Sequence, residues 1–184
     1  MDQWMKKLLI LGTLIVVLIA VFFTLYFTDV SGQILEISGF KVSLGSIEEI
    51  NYTEEDLIQR GISSEQASDI VNHPNRYRRV YFTFRLHNHS SWAAIGDIQI
   101  KAYLPEEAKK RLVWMDYNLN VAHVRTAEKN RPDYLISIFK LEEGDTEADL
   151  IEICKQIRFT ITGKKVDTIF DHGSISVPIE YRGD

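Results

Sequence analysis

The sequence predicts a mainly β fold, in which a single N-terminal membrane-spanning helix precedes an immunoglobulin-like antiparallel β-sandwich. Three observations lead to this prediction. Residues 8–27 form a 20-residue apolar run without a charge. Apolar and polar residues alternate in many of the short segments that follow, as expected for strands with one buried face. Helical periodicity is confined to a short insertion and one further segment, so two packed sheets are the expected architecture.

The apolar run at 8–27 has the length of a membrane span. A helix needs about 20 apolar residues to cross the hydrocarbon core, because each residue rises only about 1.5 Å. A cleaved signal peptide is the alternative, but its apolar centre has about 7–15 residues and precedes a site of small residues. The only such site here is the weak Val30-Ser31-Gly32. We therefore expect an uncleaved signal anchor.

Charges on the two sides of the run set its orientation. Lys6 and Lys7 precede it, whereas Asp29 and Glu36 follow it. Positive flanks stay in the cytoplasm, so the sequence predicts a single-pass protein of the cell membrane with a cytoplasmic N-terminus and an extracytoplasmic C-terminal domain.

The predicted organisation has four parts. Residues 1–7 form the cytoplasmic tail, 8–27 the span, 28–32 a short tether, and 33–184 the β-sandwich domain. The tether is short enough to hold the domain within about 20 Å of the bilayer, because a residue spans at most about 3.5 Å.

Two features of the span suggest contacts within the membrane. Trp4 precedes the run and Tyr26 lies near its end, and we expect their amphipathic rings at the two membrane interfaces. Thr13, Ala20 and Thr24 fall near one helical face, where small residues let a second helix approach closely. Chance occurrence of small residues in a lipid-facing helix is the alternative.

The strongest strand pattern lies at 79–88, where Val80, Phe82, Phe84 and Leu86 share one face. Alternation returns at 98–104, and we expect the two segments to pair as a hairpin. Further strands are predicted in segments listed here in chain order: 33–38, 41–44, 112–117, 119–124, 134–141, 157–162 and 174–181. Pro178 places the last one at a sheet edge, because proline cannot donate to an inner ladder.

Helical signals occupy two places. Residues 53–73 contain N-cap signals for two short helices, so we expect a helical insertion between strands. This insertion either covers one end of the sheet as a lid or binds a partner. Residues 146–156 predict one further helix, with Cys154 on its buried face. As the sole cysteine, Cys154 excludes an intrachain disulfide.

Composition and the absence of known motifs argue against several classes of function. A net charge of −5 argues against nucleic-acid binding. The sequence has no nucleophile elbow, phosphate-binding glycine loop or dinucleotide fingerprint. We therefore expect neither an enzyme nor a bound cofactor.

His87 and His89 form the best candidate site. Two residues apart on a strand, they point to the same face and could bind a metal together with Asp97 or another histidine. A solvated turn is the alternative interpretation.

The expected function is a non-enzymatic binding or assembly module at the membrane surface. Its expected partners are the lipid bilayer and another membrane or membrane-proximal protein. The alternative function is a ligand- or metal-binding sensor that uses the His87/His89 face.

Overall fold

A computed structural model describes residues 3–181, which form one N-terminal helix and two antiparallel sheets. Helix and strand each take 36% of the chain, so the expectation of a mainly β fold is only partly correct. The first helix accounts for much of the helical share, because it alone has 29 residues.

The first helix, α1 (Gln3–Ser31), extends past both ends of the apolar run. It is long and apolar enough to cross a membrane, and its most apolar stretch is not covered by the rest of the chain. Residues 28–31, expected in the tether over 28–32, form its last turn, so only three residues separate α1 from the first strand. Residues 3–7 of the expected tail are also helical, while 1–2 and 182–184 lie outside the described residues.

Seven strands form the two sheets. In chain order they are β1 (Leu35–Ser46), β2 (Tyr77–Asn88), β3 (Ala94–Tyr103), β4 (Leu112–Met115), β5 (Arg131–Lys140), β6 (Arg158–Val166) and β7 (Ser174–Ile179). The first sheet has the order β1-β2-β5-β4 and the second the order β3-β6-β7, with antiparallel neighbours throughout. Pro178 lies in β7 at the edge of its sheet, as predicted.

The expected hairpin between 79–88 and 98–104 is wrong, because β2 and β3 belong to different sheets. Both edges of β2 are already paired, one with β1 and the other with β5. The chain therefore crosses to the other sheet after Asn88. Of the predicted strand at 119–124, only an isolated bridge between Val124 and Ile95 forms.

The strands expected at 33–38 and 41–44 are a single strand, β1, with an irregularity between Ser38 and Lys41. Gly39 lies in this interval with a φ of 62°, a left-handed conformation that glycine adopts without steric cost.

A common apolar core joins the two sheets. The alternating residues Val80, Phe82, Phe84 and Leu86 of β2 are all buried. The ring of Phe82 lies 5.0 Å from that of Phe159 in the second sheet, in an edge-to-face arrangement. Burial of this apolar face provides the main stabilising contribution to the domain.

Four short helices connect strands at the end of the domain opposite to α1, which we call the helix-distal end. They are α2 (Glu54–Gln59), α3 (Ser64–Asn72), α4 (Glu106–Arg111) and α5 (Glu147–Lys155). Thr53 and Thr146 cap α2 and α5 with reciprocal capping boxes. The pair α2 and α3 lies over a second apolar cluster, whose members are Ile47, Leu57, Ile62, Ala67, Ile70, Tyr77 and Ile138.

Helix α5 buries Cys154 completely, as its spacing predicts. Burial raises the pKa of the Cys154 thiol to about 12. The thiol is therefore protonated at physiological pH and serves as an apolar packing group.

Candidate functional site at the helix-proximal end

The helix-proximal end of the domain is where α1, the 89–93 loop and the 167–173 loop meet. The 89–93 loop connects β2 to β3, and the 167–173 loop connects β6 to β7. Both begin and end at strand termini close to the start of β1, because antiparallel pairing places these termini at the same end of each sheet.

The last turns of α1 belong to the core of the domain. Tyr26 is 1% exposed and Val30 is fully buried, and both pack in the main apolar core. The Tyr26 hydroxyl oxygen accepts hydrogen bonds from the backbone N–H groups of Ile169 (2.6 Å) and Phe170 (3.3 Å). A buried tyrosine hydroxyl requires such partners. Tyr26, expected at the membrane interface, is therefore a core residue.

Asp29 fixes the same helix end to the other loop. Its carboxylate accepts hydrogen bonds from Ser90 Oγ (2.6 Å), Ser91 N (3.0 Å) and Trp92 N (3.2 Å). Bonds to an ionised acceptor are about twice as strong as neutral ones. The 89–93 loop is thereby held against α1 by one side chain.

Lys165 completes the junction at the C-terminus of α1. Its Nζ donates to the carbonyl oxygens of Val30 (2.7 Å) and Gly32 (2.9 Å). These carbonyls have no intrahelical donor, and a cation there also interacts favourably with the helix dipole. Burial lowers the pKa of Lys165 from its ordinary value. Hydrogen bonds of three side chains, Tyr26, Asp29 and Lys165, thus tie the C-terminal end of α1 to the domain.

Aromatic side chains surround this helix end. Phe22 lies 5.3 Å from Trp92, and Phe27 stacks on Phe170 at 5.7 Å. Trp92, Phe170 and neighbouring Ile169 remain 39%, 46% and 58% exposed. We call these five residues the aromatic collar. It extends the apolar surface of α1 onto the two loops.

The two predicted metal ligands lie on the outer face of the first sheet, at the same end. The rings of His87 and His89 are stacked with centroids 4.1 Å apart. His89 Nε2 lies 2.6 Å from Glu36 Oε2. One potential ligand atom from each of His87, His89 and Glu36 lies within 4.8 Å of the others.

The expected third ligand was Asp97 or another histidine, but Asp97 is paired with Lys164 at 3.0 Å, and no third histidine lies in the cluster among the described residues. Glu36 takes its place in the cluster. Sequence reasoning missed Glu36 because the contact depends on the β1–β2 register, in which Glu36 is opposite His87. A prediction that β1 pairs with β2 in this register would have identified Glu36.

The remaining candidate residues do not join this cluster. His73 contacts Asp69 at the helix-distal end, at 2.9 Å. Thr13, Ala20 and Thr24 are exposed on α1. The hydroxyls of Thr13 and Thr24 donate to the carbonyls of Leu9 (2.9 Å) and Ala20 (2.8 Å) within the same helix. Their role in packing against a second helix remains a prediction.

An ion-pair cluster joins two elements at the helix-distal end. The Arg111 guanidinium donates to Asp145 (3.0 Å) and to Glu107 (2.7 Å), so it joins α4 to the turn before α5. The Arg111 hydrogen bond is the main reason that the pKa of Asp145 lies below its ordinary value.

The sequence was compared with protein-family models and with curated proteins. No protein-family model matches the sequence, and no curated protein matches it significantly.

Proposed function

We propose that this chain is a single-pass membrane-anchored module, with its N-terminus in the cytoplasm and a non-enzymatic binding or assembly domain held directly against the outer face of the cell membrane. The main observation behind this proposal is that Tyr26 and Val30, at the end of the apolar helix, are part of the domain core. A domain that shares its core with a span cannot move freely away from the bilayer.

The same observation favours an uncleaved anchor over a removed signal peptide. Cleavage near Val30-Ser31-Gly32 would detach Tyr26 and Val30 from the core together with the Asp29 carboxylate. The ring of Phe170 would then lose its aromatic neighbours Tyr26 and Phe27, and the backbone N–H of Ile169 would lose its acceptor. Loss of buried aromatic and aliphatic groups costs several kcal/mol.

The position of the aromatic collar supports a domain seated at the lipid interface. From Trp4 to Phe27 the helix rises roughly 35 Å, at about 1.5 Å per residue. This length matches the hydrocarbon core of about 30 Å plus part of each interface. The collar then lies at the outer interface, where tryptophan and other aromatic rings are favoured.

The strand order supports an immunoglobulin-like sandwich. The constant-type immunoglobulin domain pairs its first, second, fifth and fourth strands in one sheet and its third, sixth and seventh in the other. The order in this chain is the same. Because this architecture hosts many unrelated roles, it supports a binding module by analogy only.

The partner that we propose is another membrane or membrane-proximal protein, in addition to the lipid bilayer. At about 100° per residue, Thr13, Ala20 and Thr24 lie about 120–160° around α1 from Tyr26. A second helix could therefore approach this face without meeting the loops that contact Tyr26. The short connection to β1 limits the domain to partners near the same membrane.

Crosslinking in intact membranes tests this proposal. Two variants are compared with the native chain: one carries a polyleucine span at residues 8–21 and retains 22–31, and the other carries Tyr26→Ala. We expect the native chain to remain in the membrane with its N-terminus intact and to crosslink to a membrane neighbour. Loss of the neighbour in the polyleucine variant assigns the contact to the span, whereas loss only in Tyr26→Ala assigns it to the seated domain.

Release of the domain into the medium with a new N-terminus near residue 32 would overturn the anchored module. Absence of any crosslinked membrane neighbour for the native chain would overturn the partner proposal.

A further inference from the structure

We propose that Glu36, His87 and His89 bind a divalent transition-metal ion of the zinc class. The proposal begins with the strand register. Glu36 in β1 is directly opposite His87 in β2. Beyond the end of β2, the backbone N–H of His89 donates to the Ile34 carbonyl at 2.8 Å, so the extended pairing continues to His89. Alternation then places both imidazoles on the face that carries Glu36.

The distances suit a single ion after small side-chain movements. The three ligand atoms lie within 4.8 Å of one another. Bonds of about 2.0–2.2 Å from a tetrahedral zinc ion separate its ligand atoms by roughly 3.4 Å. The side chains of His89 and Glu36 are 50% and 56% exposed, so they can rotate to reach this geometry.

An ordinary ion pair does not account for the whole cluster. The contact between His89 and Glu36 uses one imidazole and one carboxylate, at 2.6 Å. His87 takes no part in that contact, although its ring is stacked 4.1 Å from that of His89. A shared metal ion uses all three groups and lets the carboxylate offset part of the ionic charge.

The donor set also indicates the class of ion. Two imidazoles and one carboxylate suit zinc, copper and nickel, whereas calcium and magnesium prefer oxygen ligands. Three protein ligands leave at least one coordination position for water or for a group from a partner. The site lies between β2 and β1, and β1 is one of the two edge strands of its sheet.

The location predicts a mechanical effect of metal binding. An ion at this cluster would join the beginning of β1 to the end of β2. These segments directly follow α1 and directly precede the 89–93 loop that contacts Asp29. The ion would therefore stiffen the junction between α1 and the domain. This inference does not depend on the proposed function, because it rests only on the strand pairing and the three side chains.

Zinc chloride titration of the full chain tests the site. The protein is purified in detergent without a polyhistidine tag, stripped with a chelator, and titrated in a calorimeter. We expect one ion per chain, undiminished by excess calcium or magnesium. His87→Ala, His89→Ala and Glu36→Ala should each weaken binding about a hundredfold or more, because loss of even outer-shell partners costs about 10–100-fold.

His73→Ala is the matched control, because His73 also contacts a carboxylate but lies at the helix-distal end. It should leave zinc affinity unchanged. Electron paramagnetic resonance of the Cu²⁺-loaded chain gives an independent readout, with coupling to two imidazole nitrogens in the native protein and one in His87→Ala. Equal zinc affinity in the native chain and the His87→Ala/His89→Ala variant, or an equal loss in His73→Ala, would overturn the proposal.

Discussion

The two ends of the domain are stabilised in different ways. At the helix-proximal end, buried side chains of α1 and hydrogen bonds from two loops join α1 to the core. At the helix-distal end, four short helices cover the sheets and are linked by exposed or partly exposed ion pairs. The difference indicates that the two ends rest on separate sets of contacts, so that a substitution at one end should leave the other end largely unaffected.

The largest expected effect comes from Tyr26→Ala. Removing a buried aromatic side chain costs about 3–5 kcal/mol of unfolding free energy. Two backbone donors at the 167–173 loop also lose their acceptor. Leu25→Ala is the control, because Leu25 is 59% exposed beside it. Urea unfolding of the full chain in detergent, followed by near-ultraviolet circular dichroism, measures both. Equal stability of the two variants would show that α1 is not part of the domain core.

Leu57→Ala probes the opposite end. Leu57 is the fully buried residue of α2 in the second apolar cluster, and its truncation should cost about 2–5 kcal/mol. We expect the loss to remain local, because Leu57 belongs to the second cluster and not to the main core. Hydrogen exchange should show faster exchange in α2 and α3, with the amides of β2 near Asn88 unchanged. Uniformly faster exchange would contradict two separately stabilised ends.

Asp29→Ala addresses the polar part of the helix-proximal junction. Its three hydrogen bonds involve an ionised acceptor, for which the net contribution is about 1.5–3 kcal/mol. Exposed Glu143 provides a control, and Glu143→Ala should change the unfolding free energy by less than about 0.5 kcal/mol. Limited proteolysis should cut the 89–93 loop in Asp29→Ala before it cuts the native chain. A protected loop in this variant would assign its position to the aromatic contacts alone.

The smallest expected effect is the pH dependence of Asp145→Asn. Because the pKa of Asp145 is lowered in the folded state, its contribution is present above the unfolded value of about 4 and is lost as pH falls through the folded value. We expect a loss of about 1 kcal/mol at pH 7. The difference from the native chain should shrink steadily below pH 4 in urea unfolding curves. A constant difference down to pH 2 would show that the charge of Asp145 does not cause it.

The sequence predicted those structural features that depend on residue spacing within a single helix or strand. The apolar run, the alternation in β2 and the buried face of α5 each follow from side-chain spacing within one element. Helix α4 was not predicted, because its six residues bury only Ala108 and carry no hydrophobic period. Its charged residues form short-range ion pairs, such as that between Lys109 and Glu106.

Features that depend on pairing between distant segments were not predictable in this way. Strands β2 and β3 lie in different sheets because both edges of β2 are already hydrogen-bonded, one to β1 and the other to β5. Glu36 joins the histidines only through the β1–β2 register. Tyr26 has the amphipathic character of an interface residue, yet the loop that buries it lies 143 residues later in the chain.

This long separation has a consequence for biosynthesis. Helix α1 is synthesised 143 residues before Ile169, in the 167–173 loop that donates to the Tyr26 hydroxyl. Contacts between such distant segments form late, since the cost of closing a long loop must be met before the contact forms. The core of the nascent domain therefore stays incomplete until the 167–173 loop has been synthesised, and the domain is most susceptible to proteolysis and aggregation during that interval.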